Sequence, residues 1–214
     1  ALWRGHQLVE ALYLSGWCFE QSNERETYNR AHPEGRREFT PDVQRLNDLG
    51  AGVVWVHMGG NYANGFGFAA ALIDKYPDSK HRAAAEYYVI QKDMREFKYG
   101  YNTWKDVMTR LKKVSAYVDL YGESRSPEYL DAVLDIAKIH DNLWTAVRFQ
   151  KSSIVEYFPL DDPDRPDWSA DHHKQEALRH YARWLLEAPT YYETQEVWRT
   201  IHQRQRDLKN DVPC

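Results

Sequence analysis

The sequence predicts an all-α protein of about seven helices, joined by short turns into antiparallel hairpins. Three observations carry this prediction. Helix-start signals recur along the chain, apolar residues follow them at helical spacing, and no stretch sustains the alternation of a half-buried strand. No segment of the 214 residues has the length or composition of a flexible linker. We therefore expect one all-helical domain over residues 1–214, built as a helical-repeat stack or as an irregular bundle.

Capping residues mark the predicted helix starts. The stretch Ser126–Glu128 places a hydroxyl before a proline and an acid, which suits the first turn of a helix. Ser79 and Ser169 stand before further helical segments, and Thr190–Glu193 has the order of a capping box. Similar signals occur at Thr40–Asp42 and Thr103–Asp106.

Apolar residues recur every three or four positions behind these signals, for example at Val107, Leu111, Val114 and Val118. Residues 1–19 have the same helical pattern, whereas residues 23–39 and 161–168 are looser. One segment is ambiguous, because residues 52–58 are rich in β-branched side chains. A single short strand has no partner, so we predict a helix there too.

The turn at Tyr76-Pro77-Asp78-Ser79 is followed by alanines at positions 83–85 and tyrosines at 87–88. Proline stops one helix, serine caps the next, and small alanines let the two axes approach. This pattern resembles the turn of a tetratricopeptide-type helical repeat. Tyr121 and Ser124 match Tyr76 and Ser79 at an offset of 45 residues, longer than the usual repeat of about 34. The resemblance covers Ala69–His140 and implies stacked helices of a scaffold protein.

Charge and hydropathy exclude several classes of partner. The formal net charge is −4, so the composition offers no basic footprint for nucleic acid or an anionic membrane surface. No apolar run is long enough for a transmembrane helix, and no signal-peptide pattern is visible. The two cysteines, Cys18 and Cys214, form neither a disulfide framework nor a zinc ribbon. They are equally consistent with two free thiols and with one disulfide, and no compartment is indicated.

Aromatic residues are abundant, with 8 Trp and 15 Tyr. Such side chains combine a large apolar body with one polar group, so they suit both cores and interfaces. The simpler interpretation is an aromatic core. The alternative is that part of the excess forms a contact surface for a partner protein.

The strongest candidate for chemistry is the helical stretch Asp167–Trp184. His172, Glu176 and His180 follow one another at intervals of four residues, so they share one helix face. Imidazole and carboxylate groups at this spacing can bind one divalent metal ion, with further ligands from His140, Asp141 or His202. A divalent metal is the only cofactor that the sequence suggests. The competing interpretation is a solvated polar face, with His173 partly packed near Ala177.

Three other motifs are weaker. His140-Asp141 resembles the metal pair of HD-type phosphohydrolases, but a buried, hydrogen-bonded His140 on an apolar helix face is the better interpretation. The acids of residues 160–167 lack EF-hand spacing and suit an acidic loop before a helix N-terminus. The glycines of Gly59–Gly67 match no phosphate-binding pattern, so we expect a flexible turn or a place of close backbone packing.

These observations leave three hypotheses of function. The first is a non-catalytic interaction or scaffold protein that presents an aromatic-rich helical surface to a protein partner or to copies of itself. The second is a metal-dependent helical enzyme that uses His172, Glu176 and His180. The third is a structural subunit of a larger assembly. A helical fold alone does not choose between them.

Overall fold

The computed structural model describes residues 44, 47–50, 54–56, 61–63, 67–96, 104–149, 165–190, 192 and 195–213. It confirms the all-α class: six helices account for most of these residues. They are α1 (Gly67–Lys75), α2 (Arg82–Glu96), α3 (Trp104–Leu120), α4 (Pro127–Phe149), α5 (Ala170–Glu187) and α6 (Glu196–Lys209). The helix predicted in residues 1–19, the loose stretch 23–39 and both cysteines lie outside the described residues.

A short antiparallel ribbon precedes the helices. Strand β1 (Val54–Val56) pairs with β2 (Asn61–Ala63), with Val54 opposite Ala63 and Val56 opposite Asn61. The helix predicted for residues 52–58 is therefore wrong, and the turn predicted at Gly59–Gly67 contains β2. The missing partner strand comes from that neighbouring stretch, so the β-branched residues adopt the extended backbone they favour.

Contacts within the chain divide it into two compact units, residues 1–99 and 100–214. The first contains the ribbon and the α1/α2 hairpin, and the second contains α3 to α6. The prediction of a single domain stays a prediction.

The centre of the second unit is α4. It packs against both α3 and α5, and its buried residues lie on most of its circumference, from Tyr129 to Ala146. A helix that is apolar almost all round must be covered on several sides. The core around it includes three buried tryptophans: Trp104, Trp144 and Trp184.

The helices α4, α5 and α6 alternate in direction. Residue 129 of α4 contacts residue 187 of α5, whereas residue 140 contacts residue 173, so these two helices are antiparallel. Trp184 contacts Trp198, whereas Lys174 contacts Asp211 beyond the end of α6, so α5 and α6 are antiparallel as well. It follows that α4 and α6 run parallel to each other.

The turns at Tyr76–Ser79 and Tyr121–Ser124 share one hydrogen-bond pattern. In each, the tyrosine N–H donates to the carbonyl four residues earlier, and the serine N–H donates to the tyrosine carbonyl. In each, the serine hydroxyl accepts from the N–H two residues later, at 3.2 Å and 3.4 Å. The preceding helix ends one residue before the tyrosine and the next begins six residues after it. The turns differ at Arg125, whose φ is 44°.

Two caps are confirmed and one is wrong. The hydroxyl of Ser126 accepts from Tyr129 N at 3.2 Å at the start of α4. The hydroxyl of Ser169 accepts from His172 N at 3.1 Å at the start of α5. The capping box at Thr190–Glu193 does not start α6, which begins at Glu196 behind Gln195. The Tyr192 N–H instead donates to the Pro189 carbonyl at 2.9 Å, which closes a short turn ahead of the helix.

Candidate functional site

Histidines from α4 and α5 meet at the beginning of α5. Nδ1 of His140 lies 3.1 Å from Nδ1 of His173, and both side chains are buried, with 4% and 1% of their surface exposed. The ring of His172 lies 5.9 Å and 5.6 Å from these two rings, centroid to centroid. The ring of Trp168 lies against His172 at 4.8 Å. Residues 140, 168, 172 and 173 are called the histidine cluster below.

The buried pair in this cluster is neutral. Burial is the main cause that lowers the pKa of His140 to about 4 and that of His173 to about 3. A hydrogen bond between two imidazole nitrogens needs one donor and one acceptor, so one Nδ1 carries a proton and the other does not. The interpretation of His140 as a buried, hydrogen-bonded side chain is confirmed. His173 is fully packed, more deeply than the sequence suggested.

The three predicted metal ligands, His172, Glu176 and His180, are not gathered around one point. Nε2 of His180 lies 3.8 Å from Oε2 of Glu176, but the guanidinium of Arg179 donates to both atoms. His172 instead joins the histidine cluster. No three His, Cys, Asp or Glu side chains of the described ranges converge into a group that could hold a metal ion. The metal site stays a prediction.

The competing interpretation of a solvated face is wrong for His180, which is 5% exposed. Because arginine can only donate, Nε2 of His180 is an acceptor and its proton is on Nδ1. That Nδ1 is buried, and no atom of the described residues accepts its proton. Burial first, then the charge of Arg179, lowers the pKa of His180 to about 4. For Glu176, burial alone would raise the pKa, but the hydrogen bonds and charge of Arg179 hold it below its usual value.

The other suggested ligands, Asp141 and His202, make contacts away from His172, Glu176 and His180. Asp141 follows His140 in sequence, but the two side chains have different partners, unlike the shared metal of an HD-type pair. His202 is exposed on α6, with its ring 5.4 Å from that of Trp198. Of the acidic stretch 160–167, the structure describes only Arg165–Asp167, and Asp171 provides the acid in the first turn of α5.

A buried polar triad joins α4, α5 and α6. Arg204 of α6 donates to both carboxylate oxygens of Asp141, each at 2.6 Å, and Tyr181 of α5 donates to one of them at 3.0 Å. Arg204 also donates to the Val212 carbonyl at 2.8 Å and lies over the ring of Trp144. Bidentate pairs of this kind are the strongest geometry for an ion pair. The triad fixes the spacing of the two parallel helices.

An open groove of about 560 Å³ lies between α4 and α6, above this triad. Its walls are largely apolar, and its floor is formed by Tyr181 and the ion pair of Asp141 and Arg204. It extends along α6 from Glu196 to Arg204, nine residues whose eight helical rises correspond to about 12 Å. The α4–α6 groove is lined by Leu134, Lys138, Asp141, Asn142, Tyr181, Glu196, Val197, Thr200, Ile201 and Arg204.

Sequence reasoning missed this groove and the triad below it. The sequence pattern predicts Asp141 only as a metal ligand and assigns no role to Arg204. The available signal was the spacing of Val197, Ile201 and Arg204 on one face of a strongly amphipathic segment. It could not reveal that α4 would be the opposite wall.

The aromatic side chains of the described residues are buried or half-buried. Among those whose burial the structure describes, none is exposed, and the large exposed apolar residues are Leu49, Leu120, Leu186 and Val212. The described residues thus support the aromatic-core interpretation.

Comparison with known proteins gives no relative. No family model, curated protein or solved structure matches this chain. None of the helices in the described ranges is long and apolar enough to cross a membrane.

Proposed function

We propose that this chain is a non-catalytic interaction protein whose α4–α6 groove binds a segment of a partner protein. One observation carries the proposal: two parallel helices, linked by a buried polar triad, leave an open groove with largely apolar walls. Grooves of this kind accept the apolar face of a partner helix or an extended segment. A volume of about 560 Å³ also lies in the range of ligand sites.

The distribution of burial supports the same proposal. Leu134 and Ile201 at the bottom of the groove are buried, whereas Lys138, Asn142 and Thr200 on its rim are exposed. An apolar centre with a polar rim is the usual anatomy of a protein interface. The two matching helix turns add the regular hairpins expected of a scaffold. The aromatic-rich surface of the original hypothesis is replaced by this groove, since the described aromatic rings are packed inside.

The proposal is tested by selecting peptides on the purified chain. Random 20-residue peptides are displayed, enriched on the wild type and then measured individually by fluorescence anisotropy. Thr200→Trp fills the groove from its rim, and Arg199→Trp places the same ring on an exposed neighbour that does not line the groove. We expect the enriched peptides to bind the wild type and Arg199→Trp alike, and Thr200→Trp at least tenfold more weakly.

The proposal would be overturned if no enriched peptide bound Thr200→Trp more weakly than the wild type while the far-UV circular dichroism of the variant was unchanged. A structural subunit would instead self-associate. Concentration-dependent sedimentation of the wild type that is abolished by Thr200→Trp would assign the groove to a contact between copies of the chain.

A further inference from the structure

Two exposed residues on the rim of the α4–α6 groove carry opposite charges. Lys138 stands on the α4 wall and Glu196 on the α6 wall, and both side chains are exposed. Lys138 and Glu196 form no ion pair with each other among the described contacts. The floor contributes no net charge, because Arg204 and Asp141 neutralise each other. The rim thus presents one positive and one negative side chain at separate positions, with apolar lining between them.

The register of the helices fixes the distance between these rim positions. Asp141 faces Arg204, and the helices run parallel, so the α4 position level with Glu196 is eight residues before Asp141. Lys138 is five residues further along α4. At 1.5 Å per residue, the two charges are separated by about 7 to 8 Å along the groove.

A helix placed in the groove meets this spacing at residues i and i+5. Five residues advance it by about 7.5 Å and turn it by about 140°, which carries the side chain from one wall towards the other. Apolar residues at intermediate positions then face Leu134, Val197 and Ile201. A helix that binds antiparallel to α4 and α6 also aligns its dipole favourably against theirs. The helix α5, which is antiparallel to both, has the same arrangement.

We propose that the occupant of the α4–α6 groove is an amphipathic helix of a partner protein, with an acidic residue facing Lys138 and a basic residue about five positions later facing Glu196. The inference rests on the proposed function of the groove and adds the class and polarity of its ligand. Charge complementarity at the rim selects the partner, while the apolar walls provide most of the contact.

The test uses two designed helical peptides of 16 residues with the same apolar face. One carries Glu at position i and Lys at i+5, and the other has these two residues exchanged. Fluorescence anisotropy at 0.15 M salt measures their affinities. We expect the Glu-first peptide to bind the wild type about fivefold more tightly, as befits two exposed ion pairs.

Exchanging the rim charges sharpens the test. The double variant Lys138→Glu with Glu196→Lys keeps the net charge, and we expect it to prefer the Lys-first peptide. The matched control exchanges two exposed charges that do not line the groove, Lys112→Glu with Glu123→Lys, and should keep the wild-type preference. Both double variants alter exposed side chains, so their folding is verified by circular dichroism.

The outcomes separate the two proposals. If both peptides bind the wild type equally and the rim exchange changes nothing, the charge order is overturned while the groove keeps its function. If neither peptide binds but Thr200-dependent peptides emerge from random selection, only this occupant is overturned. If no peptide of either source binds, both proposals are overturned. Self-association that depends on Lys138 and Glu196 would make a second copy the occupant and overturn the heterologous partner.

Discussion

Asp141 of α4 accepts two hydrogen bonds from Arg204 of α6, both with N···O distances of 2.6 Å. The two residues lie 63 positions apart in sequence and link α4 to α6. Their ion pair is mostly buried, with side-chain exposures of 4% and 13%. This single contact sets the floor and the width of the proposed binding groove.

Removing one partner of this pair should be strongly destabilising. Arg204→Met removes the bidentate partner of the Asp141 carboxylate, which stays buried against Tyr181. We expect the free energy of unfolding to fall by about 3 kcal/mol, measured by urea denaturation. The control is the double variant Asp141→Leu with Arg204→Met, which removes both charges and should be clearly more stable than Arg204→Met. A double variant as unstable as the single one would contradict this account.

Stability should decrease as the pH falls below neutrality. The pKa values of His140, His173 and His180 are lowered to about 4, 3 and 4, below the ordinary value of 6.5. Between about pH 6.5 and 4 the unfolded chain binds protons that the folded chain excludes, so stability rises with pH in this window. Each histidine should contribute about 1 kcal/mol per pH unit there, with full stability reached above pH 6.5.

A variant without one of these titrating groups checks the assignment. His173→Asn places a neutral amide near the position of Nδ1 and can keep the hydrogen bond to His140. We expect a shallower dependence of the urea midpoint on pH than in the wild type, even if the variant is less stable at pH 7. His202→Asn, at an exposed histidine, should leave the slope unchanged. Equal slopes for the wild type and His173→Asn would refute the role of the buried pair.

The serine caps of α4 and α5 should each stabilise the second unit. Ser126→Ala and Ser169→Ala remove the acceptors of the Tyr129 and His172 N–H groups. We expect a loss of about 1 kcal/mol for each change and near-additive losses in the double variant, because the caps are at separate helix ends. The matched change Ser115→Ala, inside α3, should have little effect, since alanine is the better helix former. Urea denaturation of the wild type and the four variants measures these differences.

Arg125 should be replaceable by glycine at no cost. Its φ of 44° lies in the left-handed region, which costs a non-glycine residue about 1 kcal/mol or more. We expect Arg125→Gly to be neutral or up to about 1 kcal/mol more stable in urea. The comparison is Lys80→Gly, at the corresponding position of the first turn, where no positive φ is present and glycine should be mildly destabilising. A loss in Arg125→Gly equal to that in Lys80→Gly would show that this backbone strain has no energetic effect.

The helices of the second unit could be predicted because their signals are local. Ser126 and Ser169 cap the first turns of α4 and α5. The apolar residues from Val107 to Val118 form the buried face of α3. The turns at Tyr76 and Tyr121 were matched from sequence, and they share hydrogen bonds because those bonds link residues within a few positions of one another. The ribbon of β1 and β2 was not predicted, since strand pairing depends on a partner stretch.

The candidate site was predicted less well. His172, Glu176 and His180 share one face of α5, as their spacing requires. However, Arg179 donates hydrogen bonds to Glu176 and His180. The ring of His172 instead packs against Trp168 and near His140. Helical spacing places side chains on a face without saying which neighbours approach that face. The competition of an adjacent arginine for the same lone pairs is equally invisible in a spacing pattern.

The sequence by itself determined the helical class and the starts of α4 and α5 with their serine caps, because these depend on residues within one or two turns. Only the tertiary structure decided that His173 pairs with His140 and that Asp141 of α4 pairs with Arg204 of α6. It also decided that a groove opens between α4 and α6. Such features depend on the register and direction in which distant helices pack, which is set by the shapes of whole apolar faces rather than by any single motif.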